Sequence, residues 1–265
     1  MTRDDISNDQ RMDGMAPRIE LGLLSASPLS FSEIIAGIDA IVERGQGAEL
    51  ITPVNATMLH VAHDQPVLVE AVRRASLAPC DGWPIVAIAR RVARDRGIER
   101  VTGADLLPKI VMERDYRVLL VGGARDAALL AAAELKKRGA RAELLPSETV
   151  PPEEYSDPER RKQLVARITQ SGADIIFLGL GIPKQEVLAL QCLEVAQKGV
   201  YVCCGAAIDF VAGFQSRAPG WVRGLKLEWL WRIASNPRRL AGRYISAVPE
   251  LVRVSRRARV LDGGA

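Results

Sequence analysis

Aromatic side chains are scarce in this 265-residue chain, at 5%, while Ala, Val, Leu and Gly dominate. That balance suits a layered α/β protein better than an all-β sandwich. Cysteine is nearly as sparse. Cys80, Cys192, Cys203 and Cys204 form no CxxC pair, and neighbouring Cys203 and Cys204 cannot close an unstrained disulfide. A disulfide framework is thereby excluded, the thiols read as small buried hydrophobes, and a reducing cytoplasm is the expected compartment. His60 and His63 share a helical segment without carboxylate or cysteine partners at ligand spacing, so no metal site is expected. No run approaches the roughly 20 apolar residues of a membrane-spanning helix, and the polar start MTRDDISNDQ does not read as a signal peptide.

Charge of one sign is also limited. The net charge is +4, too small to imply nucleic acid by itself. Its distribution says more. From Arg217 to Val260 eleven basic residues face two acids, Glu228 and Glu250. These basic residues come with Trp221, Trp229 and Trp231 and no nucleic-acid module, so nucleic acid is not an expected partner. Tryptophans among basic residues instead fit a soluble protein that meets an anionic membrane surface. A plain solvated basic helix is the competing reading.

What is present is an alternation of elements. Residues 1–17 are expected to be a disordered leader. A short hairpin is expected near Arg18–Ser25, then a helix over Phe31–Arg44 capped by Ser30 or Ser32. A buried strand follows at Glu49–Thr52, with helices from about Ala56 and Pro66, a short strand at Leu77–Cys80 and a helix over Pro84–Arg94. Further on, strands at Val118–Val121, Ala142–Leu145, Asp174–Leu180 and Val200–Cys204 alternate with helices over Asp126–Arg138, Glu159–Ser171 and Pro183–Lys198. Such spacing predicts a Rossmann-like, mostly parallel sheet flanked by helices, over residues 18–216. Residues 217–265 read as a basic, helical, membrane-facing appendage that Pro237 interrupts and Pro249 kinks or breaks. Its apolar surface could also support self-association into a homo-oligomer.

Ligands of such sheets sit beyond the carboxyl ends of the strands, which marks Thr52–Asn55, Cys80–Gly82, Gly122–Gly123, Gly179–Gln185 and Gly205–Asp209 as candidate lining, and a loop at Arg100–Asp105 adds a further candidate. Thr52-Pro53-Val54-Asn55 offers short polar groups at a strand end, or simply a helix cap. In Asp81-Gly82-Trp83-Pro84, Asp81 is a general base or an N-cap, with the residue spacing favouring neither. Arg100 stands beside small residues and suits an anion, or is an ordinary surface arginine. Gly179-Leu180-Gly181-Ile182-Pro183-Lys184-Gln185-Glu186 is a glycine-rich turn whose amides suit phosphate at Gly181 and whose Gln185 can read a polar ring edge. The same pattern is common in α/β turns. Cys204-Gly205 leads through small residues to Asp209, where packing explains the pattern equally well.

The turn at Gly122-Gly123 also ends a strand, as a dinucleotide site would. It lacks the third glycine, and no acid ends the next strand at Leu144-Leu145, which counts against a nicotinamide-dependent oxidoreductase. No Asp-x-Asp triplet occurs, so arginines and helix termini, rather than a divalent cation, are left to neutralise a diphosphate. No cofactor is expected. A membrane-associated binding protein without catalysis would leave Asp81 and the strand-end polar groups with no common purpose.

Taken together, TPVNATML, DGWP, RVTGADLLP, GLGIPKQE and CGAAIDFVAGFQSRAPGWVRGLKLEWLWRIASNPRRLAGRY resemble the WecG/TagA/CpsF glycosyltransferase family in order and spacing, over roughly residues 18–245. The resemblance implies an inverting, metal-independent enzyme at the inner face of the cell membrane. It would transfer N-acetylmannosamine or a related sugar from a UDP conjugate to a saccharide carried on a polyprenyl-diphosphate lipid. It makes Asp81 the base, Asn55 and Thr52 pocket residues, and Arg100 and Gln185 contacts to donor or acceptor. It also implies a membrane-meeting tail in which Arg232 and Arg239, with Arg238 and Arg243, face the lipid diphosphate or the UDP leaving group. Two details differ from the family pattern. Thr52 and Asn55 are separated by two residues rather than one, and Gly242-Arg243-Tyr244 stands where the family has Arg-Arg-Tyr.

Overall fold

The computed structural model describes residues 17–225, 230–231 and 237–261. Nearly all of the expected leader, and Arg232, lie outside the described residues, as do the side chains of Arg238, Arg239 and Arg243. In chain order the elements begin with strands β1 (Arg18–Leu21) and β2 (Leu24–Ala26), helix α1 (Phe31–Arg44) and strand β3 (Gly47–Ile51). Helices α2 (Ala56–Val61), α3 (Pro66–Arg74), α4 (Trp83–Val92) and α5 (Gly103–Glu113) follow. Next come β4 (Arg117–Gly122), α6 (Ala127–Lys137), β5 (Glu143–Leu144), α7 (Pro152–Ser156) and α8 (Pro158–Gln170). The chain continues through β6 (Ile175–Gly179), α9 (Lys184–Val195), β7 (Lys198–Cys203), α10 (Ala207–Ala212), α11 (Gly220–Gly224), α12 (Pro237–Arg257) and β8 (Arg259–Leu261).

The main sheet has the order β3-β7-β6-β4-β5 and every pairing in it is parallel. Its central strand β6, IIFLG, is buried along its whole length, as a strand covered on both faces should be. The two-residue period of a strand divides its neighbours between two cores. Val118, Leu120, Ile175, Phe177, Val200 and Val202 pack with α1, α5 and α6, whereas Leu119, Val121, Ile176, Leu178 and Tyr201 pack with α3, α8 and α9. Helix α1 starts in a full capping box, Ser30 and Glu33 bonding each other's backbone, and stops at left-handed Gly45.

The expected strand at Leu77–Cys80 appears instead as isolated parallel bridges, Ile51 to Leu77, Ser27 to Pro79 and Val54 to Cys80. Pro79 has no N–H, so a continuous ladder cannot form through it. The segment still runs extended beside β3, with Val54 N–H donating to the Pro79 carbonyl (2.8 Å) and Asp81 N–H to the Val54 carbonyl (2.9 Å).

A third core lies under the N-terminal hairpin, where Ile19, Leu21, Met58, Leu68, Ile85 and Ile98 are fully covered. The C-terminal segment returns to it. Helix α12 packs on α2 through Ala247 and Val254, and β8 pairs antiparallel with β1 to complete a three-stranded sheet. The expected interruption at Pro237 is a helix start, where a missing N–H costs nothing. Helix α12 runs on through Pro249 rather than breaking there. Pro249 is exposed, so water can satisfy the carbonyl that loses its intrahelical partner. His63 Nε2 lies 3.3 Å from Glu250 Oε2, across the junction between this helix and the body.

Candidate active site

The carboxyl ends of β3, β4, β6 and β7 open into one cleft of about 1570 Å3. Asn55, Asp81, Arg100, Gly181, Gln185 and Asp209, drawn from segments far apart in sequence, all line it. A sheet in which every strand points the same way brings its strand-end loops to one rim.

On one side stand Asn55 and Asp81. Asn55 caps α2, its Oδ1 accepting from Met58 N–H at 3.0 Å. That bond fixes the amide, so Nδ2 is turned toward Asp81 Oδ2 at 3.5 Å. Gly82 follows with φ 90°, a backbone state that glycine adopts without strain and that turns the chain into α4 directly after the carboxylate. The cap reading for Asp81 does not apply, because the N-cap of α4 is Gly82 and no side chain caps that helix.

Arg100 comes from the adjoining segment, which is pinned at both ends. Arg90 donates to the Ile98 carbonyl through Nε (2.9 Å) and Nη2 (2.6 Å), and Val101 N–H donates to the Cys80 carbonyl at 3.0 Å. Arg100 Nη2 lies 3.5 Å from Asp105 Oδ2. Burial works against a charge on Asp105, but Arg217, Thr102 and Arg100 outweigh it and hold its carboxyl below the usual range. Thr102 Oγ1 donates to Asp105 at 2.7 Å, and Arg217 pairs with its other oxygen. The chain leading into the basic segment is thereby anchored on α5.

The floor is the close meeting of α5 with the end of β7. A Cβ built on Gly103 would stand 2.4 Å from Cys204 Cα, so only glycine allows this approach. Gln185 lies beside it, 4% exposed. Its Oε1 accepts from Gly205 N–H at 3.0 Å and its Nε2 donates to Glu186 Oε1 at 2.8 Å. Asp209 joins two further loops, accepting from Ala124 N–H at 2.7 Å and from Gln215 Nε2 at 2.9 Å.

Two expected residues sit elsewhere. Thr52 is 0% exposed and does not line the cleft. The alternation of β3 turns it to the same side as Leu50, where its Oγ1 has no oxygen or nitrogen partner and the Cys203 thiol is beside it. Gly122 is buried one residue behind the lining, and Gly123 is the glycine that reaches the cleft. Asp209 opens no loop of its own but lies in α10, a helix too short for hydrophobic periodicity to reveal.

Several lining groups were not expected from the sequence. Arg125 follows the β4 turn in the left-handed region, φ 48°, an uncommon state for a residue with a Cβ. Lys184 and Tyr155 form a pair, the ammonium 5.3 Å from the ring centroid. Trp231, Val248 and Leu251 bring the C-terminal segment to the rim. Glu186 does not line the cleft but lies directly behind Gln185, 1% exposed, and burial pushes its carboxyl up to about 7 against the opposing bond from Gln185. The only sequence signal for it was its place after Gln185 in the glycine-rich turn.

All four cysteines are buried free thiols. Among the described residues no group of three or more His, Cys, Asp or Glu side chains is placed to hold a metal ion, and no helix is long and apolar enough to cross a membrane. Compared with known families, residues 20–262 match the model described as the glycosyl transferase WecG/TagA/CpsF family.

Proposed function

The chain belongs to the WecG/TagA/CpsF glycosyltransferase family, and we propose that it is an inverting, metal-independent transferase. In this reading it moves a hexose or N-acetylhexosamine, of the N-acetylmannosamine kind, from a UDP-sugar to a saccharide on a polyprenyl diphosphate. The place of action is the inner face of the cell membrane, in cell-surface polysaccharide synthesis. The observation that carries the reading is a carboxylate, Asp81, and a cation, Arg100, lining the same strand-end cleft.

Asp81 takes the proton of the acceptor hydroxyl while that oxygen attacks the anomeric carbon. The bond from that carbon to the diphosphate oxygen breaks in the same displacement, so the sugar inverts and UDP leaves with the electron pair. Asn55, fixed as the cap of α2, keeps an N–H directed at Asp81 and holds the carboxylate in orientation. Charge developing on the diphosphate is met by preorganised donors, among them Arg100 and the amides of the Gly181 turn. Gln185 and Asp209 shape the donor side. The basic segment after residue 216, including Arg232, Arg238, Arg239 and Arg243, meets the anionic lipid and the acceptor diphosphate.

The test is UDP release from a panel of UDP-sugars in EDTA, with a polyprenyl-diphosphate-linked N-acetylglucosamine acceptor. Acceptor-dependent release should fall by about 10²- to 10⁴-fold in Asp81→Asn with an unchanged melting temperature. Full activity in the variant would remove Asp81 as the base, and a strict Mg²⁺ requirement would overturn the metal-independent account.

A further inference from the structure

Gln185 can take only one of its two amide orientations. Its oxygen must be the atom that meets Gly205 N–H, because an NH₂ group there would set donor against donor. The nitrogen then points to Glu186, spends one hydrogen on Oε1 at 2.8 Å, and has a second hydrogen left on the side of the cleft that Gln185 lines. Glu186 closes this arrangement from behind. It sits in the first turn of α9, and its Oε2 is buried with no hydrogen-bond partner. An unpartnered carboxylate oxygen inside a protein is expensive, so stability alone does not account for an acid here.

We propose that Glu186 is a positioning residue of the donor site: its carboxyl fixes Gln185 with an N–H toward the ligand, and ionisation of that carboxyl weakens the hold on an anionic ligand. The inference rests on the reading of the cleft as a nucleotide-sugar site. Both protonation states leave an oxygen to accept from Gln185, so what changes between them is charge.

The groups around Glu186 do little to cancel that charge. Cys203 on β7 faces it, with a thiol that burial keeps protonated well above its ordinary range, and the Tyr155 phenol, also raised by burial, faces it from α7. The nearby cations are engaged with other groups: Lys184 and Arg161 both lie over the Tyr155 ring, and Arg74 on α3 pairs with Glu194 at the far end of α9. Burial pushes the Glu186 carboxyl up to about 7, so it is mostly neutral at pH 6 and mostly ionised at pH 8.5. A negative charge gained one residue behind the ligand contact lowers anion affinity by about tenfold or more at ordinary protein screening.

The experiment is calorimetric titration of UDP into wild type and Glu186→Gln from pH 6 to 8.5. Taking the ratio of the two Kd values at each pH cancels the ionisation of UDP itself. Glu186→Gln reproduces the neutral acid in shape and can still accept from Gln185. The expected ratio, wild type over variant, is close to one at pH 6 and rises to about tenfold or more at pH 8.5. Glu186→Leu, which removes the acceptor but keeps a buried side chain of similar size, should bind UDP about tenfold more weakly than Glu186→Gln at every pH while melting no lower than wild type. A ratio that stays flat across the range, or a Glu186→Leu protein that binds like Glu186→Gln, overturns the inference and leaves the nucleotide reading intact. Absence of UDP binding by every folded protein, wild type included, would instead bring down that reading and the inference with it.

Discussion

The floor and the outer wall of the cleft are built on opposite principles. On the floor, Asp209, Gln185 and Gly103 come from three different elements and are locked by partly buried hydrogen bonds or by backbone contact. The outer wall comes from the chain after residue 213, where Trp221 is 69% and Leu225 62% exposed and, among the described residues, a few such as Ala247 and Val254 are sealed into the body. A fixed floor suits a reaction that needs reacting groups held within fractions of an ångström. An apolar, basic wall suits a partner that arrives from outside and completes it. The contrast teaches that groups locked into the body and groups left open to solvent obey different rules of tolerance, and substitution should separate them.

The floor should break most severely at Gly103. A methyl group there would collide with the backbone of Cys204, which has no flexible atom to move aside. Gly103→Ala should therefore cost more than about 3 kcal/mol, visible as a large fall in the denaturant midpoint. A loss below about 1 kcal/mol would show that α5 can slide off the end of β7, and that the floor is less fixed than the comparison holds. Asp209 should come next. Asp209→Ala strands the Ala124 N–H and releases Gln215, for about 1–3 kcal/mol, and loosens the β4 turn at the donor side. UDP affinity should fall with stability, by about tenfold. Stability lost without any change in UDP binding would make Asp209 a structural tie alone.

How much of this was legible follows the same division. Apolar strand runs ending in Gly or Asp identified the parallel sheet, and the rule that ligands sit beyond strand ends led to Asn55, Asp81, Gly181, Gln185 and Asp209, all of which line the cleft, as does Arg100, which was singled out as a loop arginine beside small residues. The same rule overreached at Thr52 and Gly122, because it locates a strand end without saying which side of the pleat a residue takes. The burial of Glu186 is not legible in the sequence, because a glutamate in the first turn of a helix ordinarily faces solvent near the positive end of the helix dipole, and only the packing of α9 on the sheet covers it. The C-terminal end was the least readable part. Three residues, Arg259–Leu261, carry no strand pattern of their own, and they form β8 because β1 offers an unpaired edge.

The smallest effect on the fold should come from the wall, and it is the sharpest test of the comparison. Trp221→Ser with Leu225→Ser removes two large exposed apolar side chains that touch little of the body, so stability should change by no more than about 0.5 kcal/mol. If those side chains enter a bilayer, each contributes about 1.5–3 kcal/mol of burial there and nowhere else. Turnover on an acceptor embedded in anionic vesicles should then drop by about tenfold or more, while turnover on a short-chain acceptor in free solution stays at the wild-type rate. Equal losses on both acceptors would mean that these residues act within the cleft and that floor and wall are one unit. Loss on neither, together with a shift from oligomer to monomer, would assign the exposed surface to a second copy of the chain. Only the split between the two acceptors supports a wall that the membrane completes, because a purely structural contribution cannot distinguish an acceptor in lipid from one in water.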